Sequence, residues 1–216
     1  MNYLLRHQAR SARAELMSGQ LRGAALRERI LAVPALERDV WLDELLGLPE
    51  APPDGPELPP GGVPYLPAGV DEILEMVREV PLGPGDRLVD FGAGIGRVVM
   101  LAHLLSGAAA CGIEVQQPLV RCARACCAAL GLAGIELIHA NAADVEPDGS
   151  VFFFYAPFGG ETLRRVLGYL RQLAGRHPIV ICTVGLELPG ERWLRKRQSS
   201  GPSLSIYDST PPQPAG

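Results

Sequence analysis

Residues 87–97 read Arg-Leu-Val-Asp-Phe-Gly-Ala-Gly-Ile-Gly-Arg, and no other stretch limits the fold of this chain as strongly. A short apolar strand runs into an acid, then into a turn with glycine at every second position, then into the apolar helix begun by Val98-Val99-Met100-Leu101. Without a Cβ, the glycines let the backbone bend sharply and lie against a ligand. The helix behind them presents unpaired N–H groups and a positive dipole end. The spacing is not the dinucleotide fingerprint G-x-G-x-x-G, because the third glycine falls at Gly96 and Arg97 stands where that glycine belongs.

The segments downstream alternate. Val70, Ile73, Leu74 and Val77 fall at i, i+3, i+4 and i+7, which predicts an amphipathic helix over 70–80. After the first strand, a helix to about Ser106 leads to a strand at 109–114, and the next helix carries Pro118 in its first turn and Gly131 as its stop. Strands at 135–139, 151–155 and 179–184 follow, with a helix at 161–174 between the last two. Strands alternating with helices mean a parallel sheet covered on both faces. The alternation breaks at the end, where 193–198 and 204–208 flank Ser199-Ser200-Gly201-Pro202-Ser203 and read as a hairpin.

The order D-x-G-x-G-x-G over Asp90–Gly96, together with a parallel sheet that closes in an antiparallel pair, resembles the class I (Rossmann-like) S-adenosylmethionine-dependent methyltransferases. The resemblance covers residues 63 to about 185. Val63-Pro64-Tyr65-Leu66-Pro67-Ala68 is similar to a V-P-Y-x-P-[TS] segment of the Dot1-like and FAM173-like enzymes, with Ala68 in place of the hydroxyl residue. The implied fold is α/β. It has a seven-stranded, mostly parallel sheet with an antiparallel C-terminal hairpin, helices on both faces and an N-terminal helical appendage. The organisation expected is an appendage at 1–48, broken by Pro34 and stopped by Gly47. A Pro/Gly-rich linker spans 49–63, the methyltransferase domain 64–210, and a disordered tail 211–216.

In open parallel sheets, ligands bind beyond the carboxyl ends of the strands. The resemblance places S-adenosyl-L-methionine there, against Asp90, Gly92, Ala93, Gly94 and Gly96 of the turn and Tyr65 ahead of it. Glu114 ends the second strand, where its carboxylate can accept from two ribose hydroxyls at about 1.5–3 kcal/mol each; Val115 follows it. At the third strand end, Asn141 stands where the family has an acid that meets the adenine amino group, and the Ala142 N–H would meet a ring nitrogen. The fourth strand ends in Tyr155-Ala156-Pro157-Phe158, in the place of motif IV, which lines the methyl-transfer point. Ala156 replaces the polar residue that holds an acceptor nitrogen in N-methyltransferases. Tyr155, Pro157 and Phe158 remain as walls beside the sulfonium, where an aromatic face contributes about 0.5–2 kcal/mol. The candidate general bases are His139, Glu161 and Tyr155.

Composition narrows the partners. The 216 residues carry a net charge of −4 with no basic run, so no nucleic-acid footprint is expected. No apolar run approaches the length of a membrane span, and the first ten residues hold no signal-peptide core. Five cysteines without matched ligand pairs read as buried thiols of a reducing cytoplasm, not as a metal site. Three functions follow from the resemblance: a methyltransferase acting on a small metabolite, with the N-terminal helices and linker forming a lid; a protein lysine methyltransferase; and a non-catalytic S-adenosylmethionine-binding protein.

Overall fold

The computed structural model describes residues 3–56, 58, 62–201 and 203–210; the tail expected at 211–216 lies outside them. Seven strands form one sheet: β1 (Arg87–Phe91), β2 (Ala109–Glu114), β3 (Ile135–His139), β4 (Val151–Tyr155), β5 (Val180–Val184), β6 (Leu194–Arg197) and β7 (Leu204–Ser209). Their order is β3-β2-β1-β4-β5-β7-β6. Six strands run one way, and β7 is antiparallel to both of its neighbours. The seven-stranded, mostly parallel sheet with a terminal hairpin is therefore as expected.

Period-two alternation sorts the strand side chains between two cores. Leu88, Val151, Phe153, Cys182 and Val184 face a core completed by α4 (Val70–Glu79), α5 (Arg97–Ser106) and α6 (Gln117–Ala129). Val89, Phe91, Phe152, Phe154 and Ile181 face the other, covered by α7 (Gly160–Ala174) through Val166, Leu167, Leu170 and Leu173. Both faces are apolar because helices cover both.

Residues 3–48 contain three helices, α1 (Tyr3–Met17), α2 (Gly23–Leu31) and α3 (Arg38–Leu46), with a 3-10 turn at Ala35–Glu37 after Pro34. The helical reading of this segment missed the break after Met17. There Gly19 takes φ +81°, and the N–H groups of Gly19 and Gln20 close the end of α1 onto Leu16 and Glu15. Ala9, Leu16, Leu26, Ile30, Trp41 and Leu45 are fully buried in the same core as α4 and α5. Among the described residues, no helix is long and apolar enough to cross a membrane.

Candidate cofactor and acceptor cleft

Parallel strands aim their carboxyl ends at one edge of the sheet, and the site is built there. Beyond β1, Gly92, Gly94 and Gly96 all take positive φ, +85°, +53° and +85°. The N–H groups of Gly92 and Ala93 both bond the Ile113 carbonyl, at 2.9 and 3.0 Å, which ties the turn to the end of β2. Space excludes a Cβ as firmly as the backbone does: at Gly92 it would lie 2.5 Å from Pro157 Cβ, and at Gly94 2.0 Å from the Tyr65 ring. Asp90 is buried beneath the turn, and burial followed by the charge of Glu114 pushes its carboxyl up to about 8.

Glu114 is buried at the end of β2 with its carboxylate in the cleft wall. One oxygen accepts from the Gly94 N–H at 2.9 Å and the other from the Gln116 N–H at 2.8 Å. Burial raises its pKa, and the N–H groups of Gln116, Gly94 and Val115 oppose the rise. Each oxygen has two lone pairs, so both keep one for a ligand hydroxyl.

The linker lies across this edge. The Gly55 N–H donates to Gln116 Oε1 at 2.7 Å, and Gln116 Nε2 to Asp54 Oδ1 at 2.8 Å. On the opposite rim, the Val63 N–H bonds the Pro157 carbonyl at 3.2 Å, and Gly62 pairs with Phe158. Leu58 and residues 62–66 line the cleft, whereas no residue of 3–48 does. The linker therefore contributes to the cleft wall and the N-terminal helices do not: they pack behind the turn. Arg97, the first residue of α5, holds them there. Its guanidinium donates to Asp39 at 3.0 Å, to both oxygens of Asp43 at 2.6 Å and to the Ala68 carbonyl at 2.9 Å.

The remaining walls come from β3, β4 and β5. Asn141 and Ala142 line the cleft, but the Asn141 side-chain oxygen accepts from the Ala143 N–H at 2.9 Å and caps the 3-10 turn Ala142–Asp144. The oxygen expected to meet adenine is thus already bonded once. Ala156 takes φ +41°, a strained conformation for a residue with a Cβ, and turns the chain from β4 into Pro157 and Phe158. Phe158 meets Phe91 and Phe154 edge-on at 6.4 and 6.0 Å, and those two rings stack at 4.9 Å. The wall is therefore rigid and apolar.

Of the residues expected from the sequence, the cleft is lined by Tyr65, Gly92, Glu114, Val115, Asn141, Ala142, Tyr155, Pro157 and Phe158. Ala93, Gly94 and Gly96 shape the turn without lining it, and Asp90 lies beneath. Two candidate bases stand elsewhere. The His139 ring is exposed and bonds the Val115 carbonyl at 3.0 Å, because its place on β3 points it out beside β2. Glu161 is solvent-exposed on the first turn of α7 and pairs with Arg164, one turn along the same helix. Tyr155 does line the cleft, but burial, then Glu72 and Asp39, raise its phenol. Sequence reasoning missed Gln116 and Thr162 in the lining. Thr162 carried a usable signal, as a polar residue in the first turn of a helix that follows a strand end; Gln116 carried none. Among the described residues, no group of His, Cys, Asp and Glu is placed to hold a metal ion.

No protein-family model matches the chain, and no curated protein matches it. Solved structures do. An RNA methyltransferase from Salinibacter ruber in complex with S-adenosyl-L-homocysteine is 23% identical with a TM-score of 0.51, over 70% of this chain and 97% of that one. MtNAS in complex with S-adenosylmethionine is 18% identical with a TM-score of 0.52, over 66% of this chain and 63% of that one. MtNAS with MTA and tNA is 17% identical with a TM-score of 0.53, over 66% and 61%. At these identities the likeness shows the fold alone, that of class I methyltransferases. The narrower resemblance to Dot1-like and FAM173-like enzymes finds no support in them.

Proposed function

We propose that this chain is an S-adenosylmethionine-dependent methyltransferase whose acceptor is a small, apolar molecule. The observation that carries the reading is the Glu114 carboxylate. It is buried in the wall of an otherwise largely apolar cleft, beside a three-glycine turn, with lone pairs free for two hydroxyls. S-adenosylmethionine fits these residues: Glu114 would take the ribose hydroxyls, Val115, Asn141 and Ala142 would hold the adenine, and Gly92 would meet the methionine portion. When bound, it supplies a methyl group already activated for displacement on a sulfonium.

The protein's own contribution is alignment and exclusion of water. Holding donor and acceptor in attack geometry accounts for about 7–11 kcal/mol of such a barrier. Phe158, fixed edge-on to two rings, with Val63 of the linker and Leu66 just beyond it, gives apolar walls for an acceptor of modest size. Of the candidate bases, His139 and Glu161 lie outside the lining, and Tyr155, within it, keeps its proton because burial, then Glu72 and Asp39, raise its phenol. In this reading the acceptor arrives with its lone pair already free at neutral pH, so transfer requires no proton removal.

Incubation with methyl-labelled S-adenosylmethionine and a cell extract, followed by separation by size, tests the reading. Label is expected in small molecules. Label in protein would favour a lysine methyltransferase, and label in neither, despite binding, a non-catalytic binding protein.

A further inference from the structure

Gln116 is among the few buried polar residues, 2% exposed, yet the proposed chemistry gives it no task. Both ends of its amide are occupied by the linker: Nε2 donates to Asp54 Oδ1 at 2.8 Å and Oε1 accepts from the Gly55 N–H at 2.7 Å. The same Asp54 oxygen also accepts from the Tyr65 N–H at 3.0 Å. The Tyr65 ring lies on Gly94, so closely that the glycine cannot carry a Cβ. The Gly94 N–H bonds one oxygen of Glu114 at 2.9 Å, and the Gln116 N–H bonds the other at 2.8 Å. These contacts close a circuit that leaves one carboxylate oxygen, passes through Gln116, Asp54, Tyr65 and Gly94, and returns to the second oxygen.

We infer that Gln116 and Asp54 are positioning residues that orient the Glu114 carboxylate and seat Tyr65 on the glycine turn. The inference rests on the proposed cofactor role of Glu114 for its function, though not for its geometry. A carboxylate with a fixed pair of N–H donors has its remaining lone pairs fixed as well, and pre-set acceptors bind a diol more tightly than free-swinging ones. The Asp54 link works through one oxygen that accepts two hydrogen bonds. An amide oxygen in the same place accepts them too, so shape and not charge is required.

Amide hydrogen exchange on the full chain, without cofactor, tests the circuit. Asp54 bonds neither Gly94 nor Glu114, so Asp54→Ala changes the Gly94 amide only if the circuit transmits. The expected result is exchange about fivefold faster at Gly55, Tyr65 and Gly94 in Asp54→Ala and in Gln116→Ala, with near wild-type rates in Asp54→Asn. Calorimetry should then show S-adenosylmethionine binding weakened about tenfold in both alanine variants and restored in Asp54→Asn. An unchanged Gly94 amide in Asp54→Ala, or an Asp54→Asn variant as impaired as Asp54→Ala, overturns the inference. Absence of S-adenosylmethionine binding in the wild-type protein overturns the cofactor reading instead, and the exchange pattern tells the two failures apart.

Discussion

Arg97 spans from the first turn of α5 to α3, where its Nη2 lies 2.6 Å from both oxygens of Asp43. The guanidinium is buried, and it also bonds Asp39 at 3.0 Å and the Ala68 carbonyl at 2.9 Å. Asp39 in turn accepts from the Val70 N–H at 2.9 Å, at the start of α4. One side chain therefore joins the glycine turn, the N-terminal helices and the segment that leads out of the linker.

Removing Asp43 leaves the buried Arg97 charge with Asp39, itself about half exposed, as its carboxylate partner. Asp43→Ala should cost about 3 kcal/mol of stability, at the low end for buried pairs because Asp43 is only partly covered. Urea denaturation should show a lower midpoint with an unchanged slope. A loss below about 0.5 kcal/mol would class the pair with exposed ones.

Glu114→Ala removes the proposed ribose acceptor and the partner of two backbone N–H groups. S-adenosylmethionine binding should weaken at least tenfold, about 1.4 kcal/mol, measured by calorimetry. An unchanged affinity would take Glu114 out of the ribose role.

Asp90 makes stability fall with rising pH. Its carboxyl holds a proton up to about 8 in the folded chain but releases it near the ordinary aspartate value of 3.8 when unfolded. Between those values the folded state binds more protons, so its contribution is complete below 3.8 and is lost as pH rises through about 8. Thermal melts from pH 6 to 9 should show a declining Tm in the wild type and a flatter profile in Asp90→Asn. Parallel profiles would mean that Asp90 is ionised in the fold at neutral pH.

Gly94→Ala meets two obstacles, the φ of +53° and the Tyr65 ring 2.0 Å from the new Cβ. The variant should lose about 2–4 kcal/mol and its cofactor binding. Adding Tyr65→Ala removes the collision but not the backbone strain. Double-mutant analysis by denaturation should therefore show the two changes to be less than additive. Strict additivity would contradict the contact.

The sheet was legible because its signals are local. Each strand is a short apolar run between turn residues, and expected and observed ends differ by a residue or so, as at Val180 and Leu194. The glycine turn was legible for the same reason, and Glu114 followed from its distance along the chain. The break after Met17 was not, since the helical composition runs across the two left-handed glycines, Gly19 and Gly23, that separate α1 from α2. Nor were the links from Arg97 to Asp39 and Asp43, 58 and 54 residues apart in sequence, or from Gln116 to Asp54, 62 apart. Such pairs exist only once the linker and the N-terminal helices have packed against the domain. His139 and Glu161 were placed by their nearness to strand ends, but the direction of each side chain depends on strand pleat and helix turn, which set both facing away from the cleft.

Titration of the 216-residue chain with S-adenosylmethionine in a calorimeter bears most directly on the proposal. A single site should appear, competed by S-adenosylhomocysteine and weakened in Glu114→Ala. No heat of binding from a folded sample, or binding untouched by Glu114→Ala, would contradict it.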